Sequence, residues 1–100
     1  DKILAQVSHL PHLVAYALIG SLSKEYLSQV PQGLKDSTRI AASSPQVWND
    51  IFLANPKNVI NALDALVKDL AFLRKAIIQR DQKGLLQYFE KAKEKRDSLG

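Results

Sequence analysis

Apolar positions in this chain recur at intervals of three and four residues. Ile3, Val7, Leu10, Val14, Leu18 and Leu22 form the first such series, the spacing of one face of an α-helix. They predict a helix over about residues 2–22. Pro11 interrupts it, because proline has no N–H to give and its ring clashes with the carbonyl four residues back, here that of Val7. A kink or local loosening is expected near Val7 and Ser8. Beyond Pro11, the run Val14, Ala15, Ala17, Leu18 and Ile19 leaves almost no polar face. The helix therefore reads as central and buried on most sides.

Residues 23–35 carry no strong period, and Pro31, Gln32 and Gly33 mark a turn or loop. Asp36 or Ser37 is placed to cap a short helix through about Ala42. Ser44-Pro45 is a helix start, with serine as cap and proline in the first turn. The helix that follows turns Val47, Trp48, Ile51 and Phe52 inward and stops at Asn55. Asn55-Pro56 repeats the start signal and opens a long helix to about Arg80. Val59, Leu63, Leu66, Leu70, Leu73 and Ile77 alternate spacings of four and three along it, a heptad-like seam. Asp81 caps a final helix whose inner face holds Leu85, Phe89 and Ala92, and Gly84 weakens its start. No period-two alternation of β-branched and aromatic residues occurs.

The predicted class is all-α, five or six helices in a helical bundle with a long buried first helix and a long C-terminal helical hairpin. The seam over 59–77 is either core for the last helix or a surface for a second copy of the chain. Ile60, Leu66, Val67, Phe72 and Ile78 widen it beyond one stripe, which favours a homodimer alongside the hairpin.

Composition narrows the function classes. One hundred residues make one domain with a single core. There is no cysteine, so disulfides, thiolate zinc sites and cysteine nucleophiles are excluded. No run approaches the roughly 18 consecutive apolar residues of a membrane span, and no membrane partner is expected. The chain opens on Asp1-Lys2 without a secretory signal and reads as a piece cut from a longer, cytoplasmic protein. The net charge is +4. The basic residues Lys91, Lys93, Lys95 and Arg96 alternate with Glu90, Glu94 and Asp97, the pattern of a solvated helix face. Aromatic and basic residues do not interleave, so no nucleic-acid partner is expected.

Chemistry concentrates in Ser8-His9-Leu10-Pro11-His12. At about 100° per residue, Asp1, Ser8 and His12 fall within roughly 40° of one another on a regular helix. A polar stripe on an apolar helix needs a partner, from the protein or from a ligand. His9 and His12 have a metal-binding spacing but no third protein ligand, so no metal is expected. A core histidine satisfied internally and a ligand contact both remain open. Arg39, in Thr38-Arg39-Ile40-Ala41, is flanked by small and apolar residues. Its planar fork suits a carboxylate, either that of a ligand or an internal one such as Asp36 or Asp50. The four glycines lie far apart and form no phosphate-binding loop, so no cofactor is expected within this chain. Ser8 and His12 on one helix have no oxyanion hole. The chain holds at most half of an active site.

Taken together, Asp1 through His12, Gly33-Leu34-Lys35-Asp36-Ser37-Thr38-Arg39-Ile40-Ala41 and Trp48-Asn49-Asp50-Ile51-Phe52-Leu53-Ala54-Asn55 resemble the C-terminal helical domain of the prephenate/arogenate dehydrogenase family. The order of the segments agrees along essentially the whole chain. The resemblance implies a helical fold like the C-terminal domain of 6-phosphogluconate dehydrogenase. It implies an enzyme that oxidatively decarboxylates prephenate, or arogenate, with NAD or NADP in tyrosine biosynthesis. The dinucleotide and the catalytic histidine would lie in an N-terminal domain outside these residues, so no catalytic residue is expected here and the domain alone would be inactive. The resemblance further implies a homodimer, and tyrosine as an inhibitor. By position, Arg39 matches an arginine that grips a substrate carboxylate, and His12 a histidine lining the same pocket. Asp1 matches the aspartate of a His-Asp pair, and Trp48 a tryptophan near the neighbouring subunit's pocket. Ser8, His9 and Thr38 would support them. The sequence departs from the family pattern at Gln32-Gly33-Leu34, usually Gly-Gly-Phe, and at Ser37, often aromatic. A non-catalytic helical dimerisation or regulatory module is the competing reading.

Overall fold

A computed structural model describes residues 1–100, all helix and turn, as two compact units, Asp1–Leu63 and Asp64–Gly100. In the first unit, the helical run from Lys2 to Gly20 is not one regular helix. α1 (Lys2–Leu4) opens it, a π-helical turn (Ala5–His9) follows, and α2 (Leu10–Gly20) completes it. The Asp1 carboxylate caps the start, accepting the N–H groups of Ile3 at 2.8 Å and Leu4 at 3.1 Å. In the π turn the Leu10 N–H reaches the Ala5 carbonyl, five residues back. This turn is the loosening expected near Val7 and Ser8. Pro11 cannot give Val7 the α-type hydrogen bond, so the backbone on its N-terminal side is free to adopt the wider register.

The first helix is not buried on most sides, as the pattern suggested. Only Ala5 and Ala15 are fully buried, while Ile3 is 73% exposed and Val7 67%. The apolar faces outnumber the elements this unit can lay against them. The Lys2–Gly20 run is also long and apolar enough to cross a membrane by length and composition. Ser8, His9 and His12 stand in the middle of it, where hydrocarbon would penalise them. Ala5 is instead seated in a small core with Val59 and Ala62, against which Leu10, Leu13 and Phe52 pack. Two of its three buried residues are alanines, Ala5 on the π turn and Ala62, so little side-chain bulk separates the segments that carry them.

After a 3-10 turn (Lys24–Gln29), α3 (Gln32–Thr38) begins about five residues earlier than the capping signals suggested. Pro31 serves as its extended N-terminal boundary, with φ −75° and ψ 165°. Its carbonyl receives the N–H groups of Leu34 and Lys35. Proline followed by a helical turn was available as a start signal, and Gly33 masked it. A second 3-10 turn (Arg39–Ala42) carries Arg39 and packs against α2. α4 (Pro45–Ala54) starts as expected, the Ser44 hydroxyl accepting the Val47 N–H at 3.4 Å. Trp48, Ile51 and Phe52 are partly buried, but Val47 faces outward at 53% exposure. α5 (Pro56–Ile78) starts at the expected proline.

The second unit holds the rest of α5 and α6 (Gln82–Asp97). α5 ends in a left-handed residue, Arg80 at φ 53°, with Arg80 N–H on Ile77 and Asp81 N–H on Ala76. This is the paired hydrogen-bond pattern of a Schellman end, usually closed by glycine. Asp81 then caps α6, accepting the Gly84 N–H at 2.9 Å. Gly84 is not the weak point it resembles, because a Cβ there would run into the Asp81 carboxylate. α5 and α6 meet through Tyr88, whose hydroxyl donates to Asp69 Oδ2 at 2.6 Å and whose ring lies 6.0 Å from Phe72. The seam is covered only in part, with Leu66 and Leu73 half-buried. Leu70 remains 53% exposed, Ile77 63% and Phe89 51%.

Two stability measurements follow. Gly84→Ala should leave the melting temperature followed by circular dichroism nearly unchanged, without the gain of about 1 kcal/mol that alanine brings to an open helix. Its methyl group displaces the cap, and Asp81→Ala should cost about 1 kcal/mol for the same reason. The hydrogen bond to Asp69, then burial, then the Asp69 charge raise the pKa of Tyr88 above the ordinary tyrosine value. The folded state therefore holds this proton longer than the unfolded chain does. Its stabilising contribution is complete below the ordinary tyrosine range and is lost as pH rises through the raised value. In an ultraviolet phenolate titration, Asp69→Ala should lower the last tyrosine transition; an unchanged curve would contradict the assignment.

Candidate functional site

The site is built around Trp48, the single tryptophan. α4 presents its indole to the polar segment of the first helix. The His12 ring stacks on it with centroids 3.5 Å apart and planes 17° from parallel. His9 meets the same indole edge-on, at 6.1 Å and 77°. Phe52, one turn along α4, supports Trp48 from 5.6 Å. His9, His12 and Trp48, three residues singled out from sequence, are thus brought together within one chain.

The polar stripe is assembled differently from the one drawn on a regular helix. A π turn, not a regular helix, lies between Asp1 and His12. The Asp1 carboxylate is occupied at the N-terminus of α1, and its carbonyl accepts from Asn55 Nδ2 at 3.1 Å. Ser8 contributes its backbone carbonyl, 3.0 Å from His12 Nδ1, and its hydroxyl makes no hydrogen bond. His9 Nδ1 is buried and has no partner.

Arg39 opens the 3-10 turn that packs on α2, the helix that carries His12. Its guanidinium is exposed and makes neither salt bridge nor hydrogen bond within the chain. The internal partners considered for it are engaged elsewhere: Asp36 accepts from Gln32 at 3.0 Å, and Asp50 from Gln46 at 2.9 Å. A free fork of five donors suits an external carboxylate. No hydrogen bond joins Arg39 to His12. Thr38 is buried, and its hydroxyl donates to the Leu34 carbonyl at 2.7 Å, so it fixes the end of α3. Gln32 uses its side chain to brace the same helix through Asp36.

One contributor, Tyr16, was not singled out from sequence. The Tyr16 hydroxyl donates to the Ser43 carbonyl at 3.0 Å and ties α2 to the end of the turn that bears Arg39. Tyr16 also lines a hollow of about 250 Å³ with Leu13, Pro45, Trp48, Asn49 and Phe52. Its position four residues after His12, a polar-tipped ring in an apolar stretch, was the available signal. An apolar hollow sharing Trp48 with two imidazoles can take an aromatic or cyclic apolar body.

Comparison with known proteins gives the family of the chain. Residues 1–91 match the family model for the dimerization domain of prephenate dehydrogenase. A cyclohexadienyl dehydrogenase of Zymomonas mobilis is 41% identical over 99% of this chain, which covers 36% of that protein. A prephenate dehydrogenase of Bacillus subtilis is 34% identical over 99% of the chain and 28% of its own length. The prephenate dehydrogenase of Aquifex aeolicus, solved in complex with hydroxyphenyl propionate and NAD+, superposes with a TM-score of 0.87 at 40% identity. That match covers all of this chain and 37% of the Aquifex protein. Synechocystis arogenate dehydrogenase shares the fold, with a TM-score of 0.89 at 20% identity over all of this chain and 39% of that protein. The chain spans about a third of the length of the relatives it matches. It belongs to the prephenate dehydrogenase family and corresponds to its all-α C-terminal dimerization domain.

Proposed function

We propose that this chain is the substrate-side and pairing domain of an enzyme that oxidatively decarboxylates prephenate to 4-hydroxyphenylpyruvate with NAD or NADP. The observation that carries this reading is the unpaired Arg39 on a turn packed against the helix that bears His12. An anion-gripping group and an aromatic-lined hollow suit a cyclic acid. The Aquifex relative was crystallised with a ligand of that kind, an aromatic ring joined to a short carboxylic acid. Arogenate carries the same ring and carboxylates and is the alternative substrate.

Arg39 would hold one carboxylate as a bidentate partner, a positioning role that converts binding energy into orientation. Trp48 and the hollow would bear on the ring, and His12 would meet a polar substituent. The residues here do not fit a dinucleotide: no glycine-rich turn follows a strand, and no step is assigned to one within this chain. NAD or NADP would be held by a part of the protein outside these residues, together with the group that takes the hydroxyl proton. Tyrosine, with a ring and a carboxylate, meets the same features and is placed here as a competing ligand.

The partner is a second copy. Leu70, Ile77, Val67 and Ile60 along α5 stay exposed, more apolar surface than a monomer usually leaves to water. The dimerization-domain family match supports the same conclusion.

Two measurements test this reading. In the complete enzyme, Arg39→Ala should lower kcat/KM for prephenate at least about tenfold, roughly 1.4 kcal/mol of transition-state stabilisation. A change under about threefold, roughly 0.6 kcal/mol, would remove Arg39 from the site. Light scattering should give twice the chain mass at tens of micromolar, and the double substitution Leu70→Asp with Ile77→Asp should halve it. A monomeric unsubstituted protein would rule out pairing.

A further inference from the structure

The hydrogen bond between His12 and the Ser8 carbonyl has a chemical consequence for the ligand. A carbonyl oxygen only accepts, so the 3.0 Å contact requires a proton on His12 Nδ1. In water, neutral histidine favours the other tautomer, with the proton on Nε2. We infer that the π turn and Trp48 hold His12 in the reversed tautomer, so that its free Nε2 presents a lone pair and selects a ligand group that donates a hydrogen bond. Such a group is a hydroxyl or a protonated amine.

Three observations converge on this. First, the π turn ends one residue before the helix resumes at Leu10, and Pro11 withholds its own N–H from the carbonyls before it. The Ser8 carbonyl stands at the point where the hydrogen-bond ladder changes register, open to a side chain. Second, the Trp48 indole covers one face of the ring at 3.5 Å, which opposes rotation that would carry Nδ1 away from Ser8. Third, His12 Nε2 has no partner within the chain and, unlike His9 Nδ1, is not sealed from solvent. The accessible nitrogen of His12 is therefore the acceptor.

His9 shows that the arrangement is particular to His12. It lies three residues earlier against the same indole, yet its buried Nδ1 faces no carbonyl. A proton there would have no acceptor, so His9 keeps the ordinary tautomer with Nε2–H. The two imidazoles then offer opposite polarity, a donor from His9 and an acceptor from His12. Ser8 acts through its backbone and Pro11 through its missing N–H; both are positioning residues for the imidazole. Calling the donating group part of the substrate rests on the dehydrogenase reading above. The position of the proton does not.

Neutron diffraction from crystals of the protein that carries this chain, exchanged into deuterated buffer at mildly alkaline pH, reads the proton directly. The expected result is deuterium on His12 Nδ1, pointing at the Ser8 carbonyl, and none on Nε2. Deuterium on Nε2 alone would overturn the inference, and so would deuterium on both nitrogens, because neither state leaves an acceptor. No activity enters this measurement, so a failure of the Arg39 test leaves it standing, and its own failure leaves the dehydrogenase reading intact.

Discussion

One missing hydrogen-bond donor shapes the functional end of this domain. Pro11 cannot supply the N–H that an uninterrupted α-helix would give to Val7. The backbone before it takes the wider π register, with Leu10 bonded five residues back to Ala5. That turn places Ala5 in the core against Val59 and Ala62, and it leaves the Ser8 carbonyl facing His12. A regular helix through the same residues would bring Asp1, Ser8 and His12 onto one stripe. In the folded chain the Asp1 carboxylate is spent as a cap, and Ser8 contributes its carbonyl rather than its hydroxyl.

Around that point, side chains divide into those that hold the backbone and those left free. Thr38, Gln32 and the Asp1 carboxylate are consumed in ending or starting helices. Tyr16 ties α2 to Ser43 and so restrains the turn that carries Arg39. Arg39 is left without a partner, and so is the outer nitrogen of His12. Unspent donors and acceptors on braced elements are what a binding surface requires. The exposed apolar residues of α5 are unspent in the same sense.

Much of the fold could be read along the chain because its signals are local. Ser44 and Asp81 cap helices through hydrogen bonds only three residues long in sequence, and both operate as expected. α3 was misplaced because Gly33, in its first turn, carried the signature of a loop while Pro31 did the capping. Gly84 was misjudged for a related reason: its cost in helix propensity is visible in sequence, whereas the Asp81 carboxylate occupying the space of its Cβ is not.

The site divides along the same line. Residue type and short spacing sufficed for the all-α class, the break at Pro11, and the choice of His9, His12, Arg39 and Trp48 as the groups worth following. They sufficed because periodicity, capping and side-chain chemistry depend on neighbours within a turn or two. The stacking of Trp48 on His12 joins residues 36 positions apart. No local run encodes it. Long-range packing brings the indole onto both imidazoles, and that contact gathers a polar segment and a distant helix into one aromatic cluster.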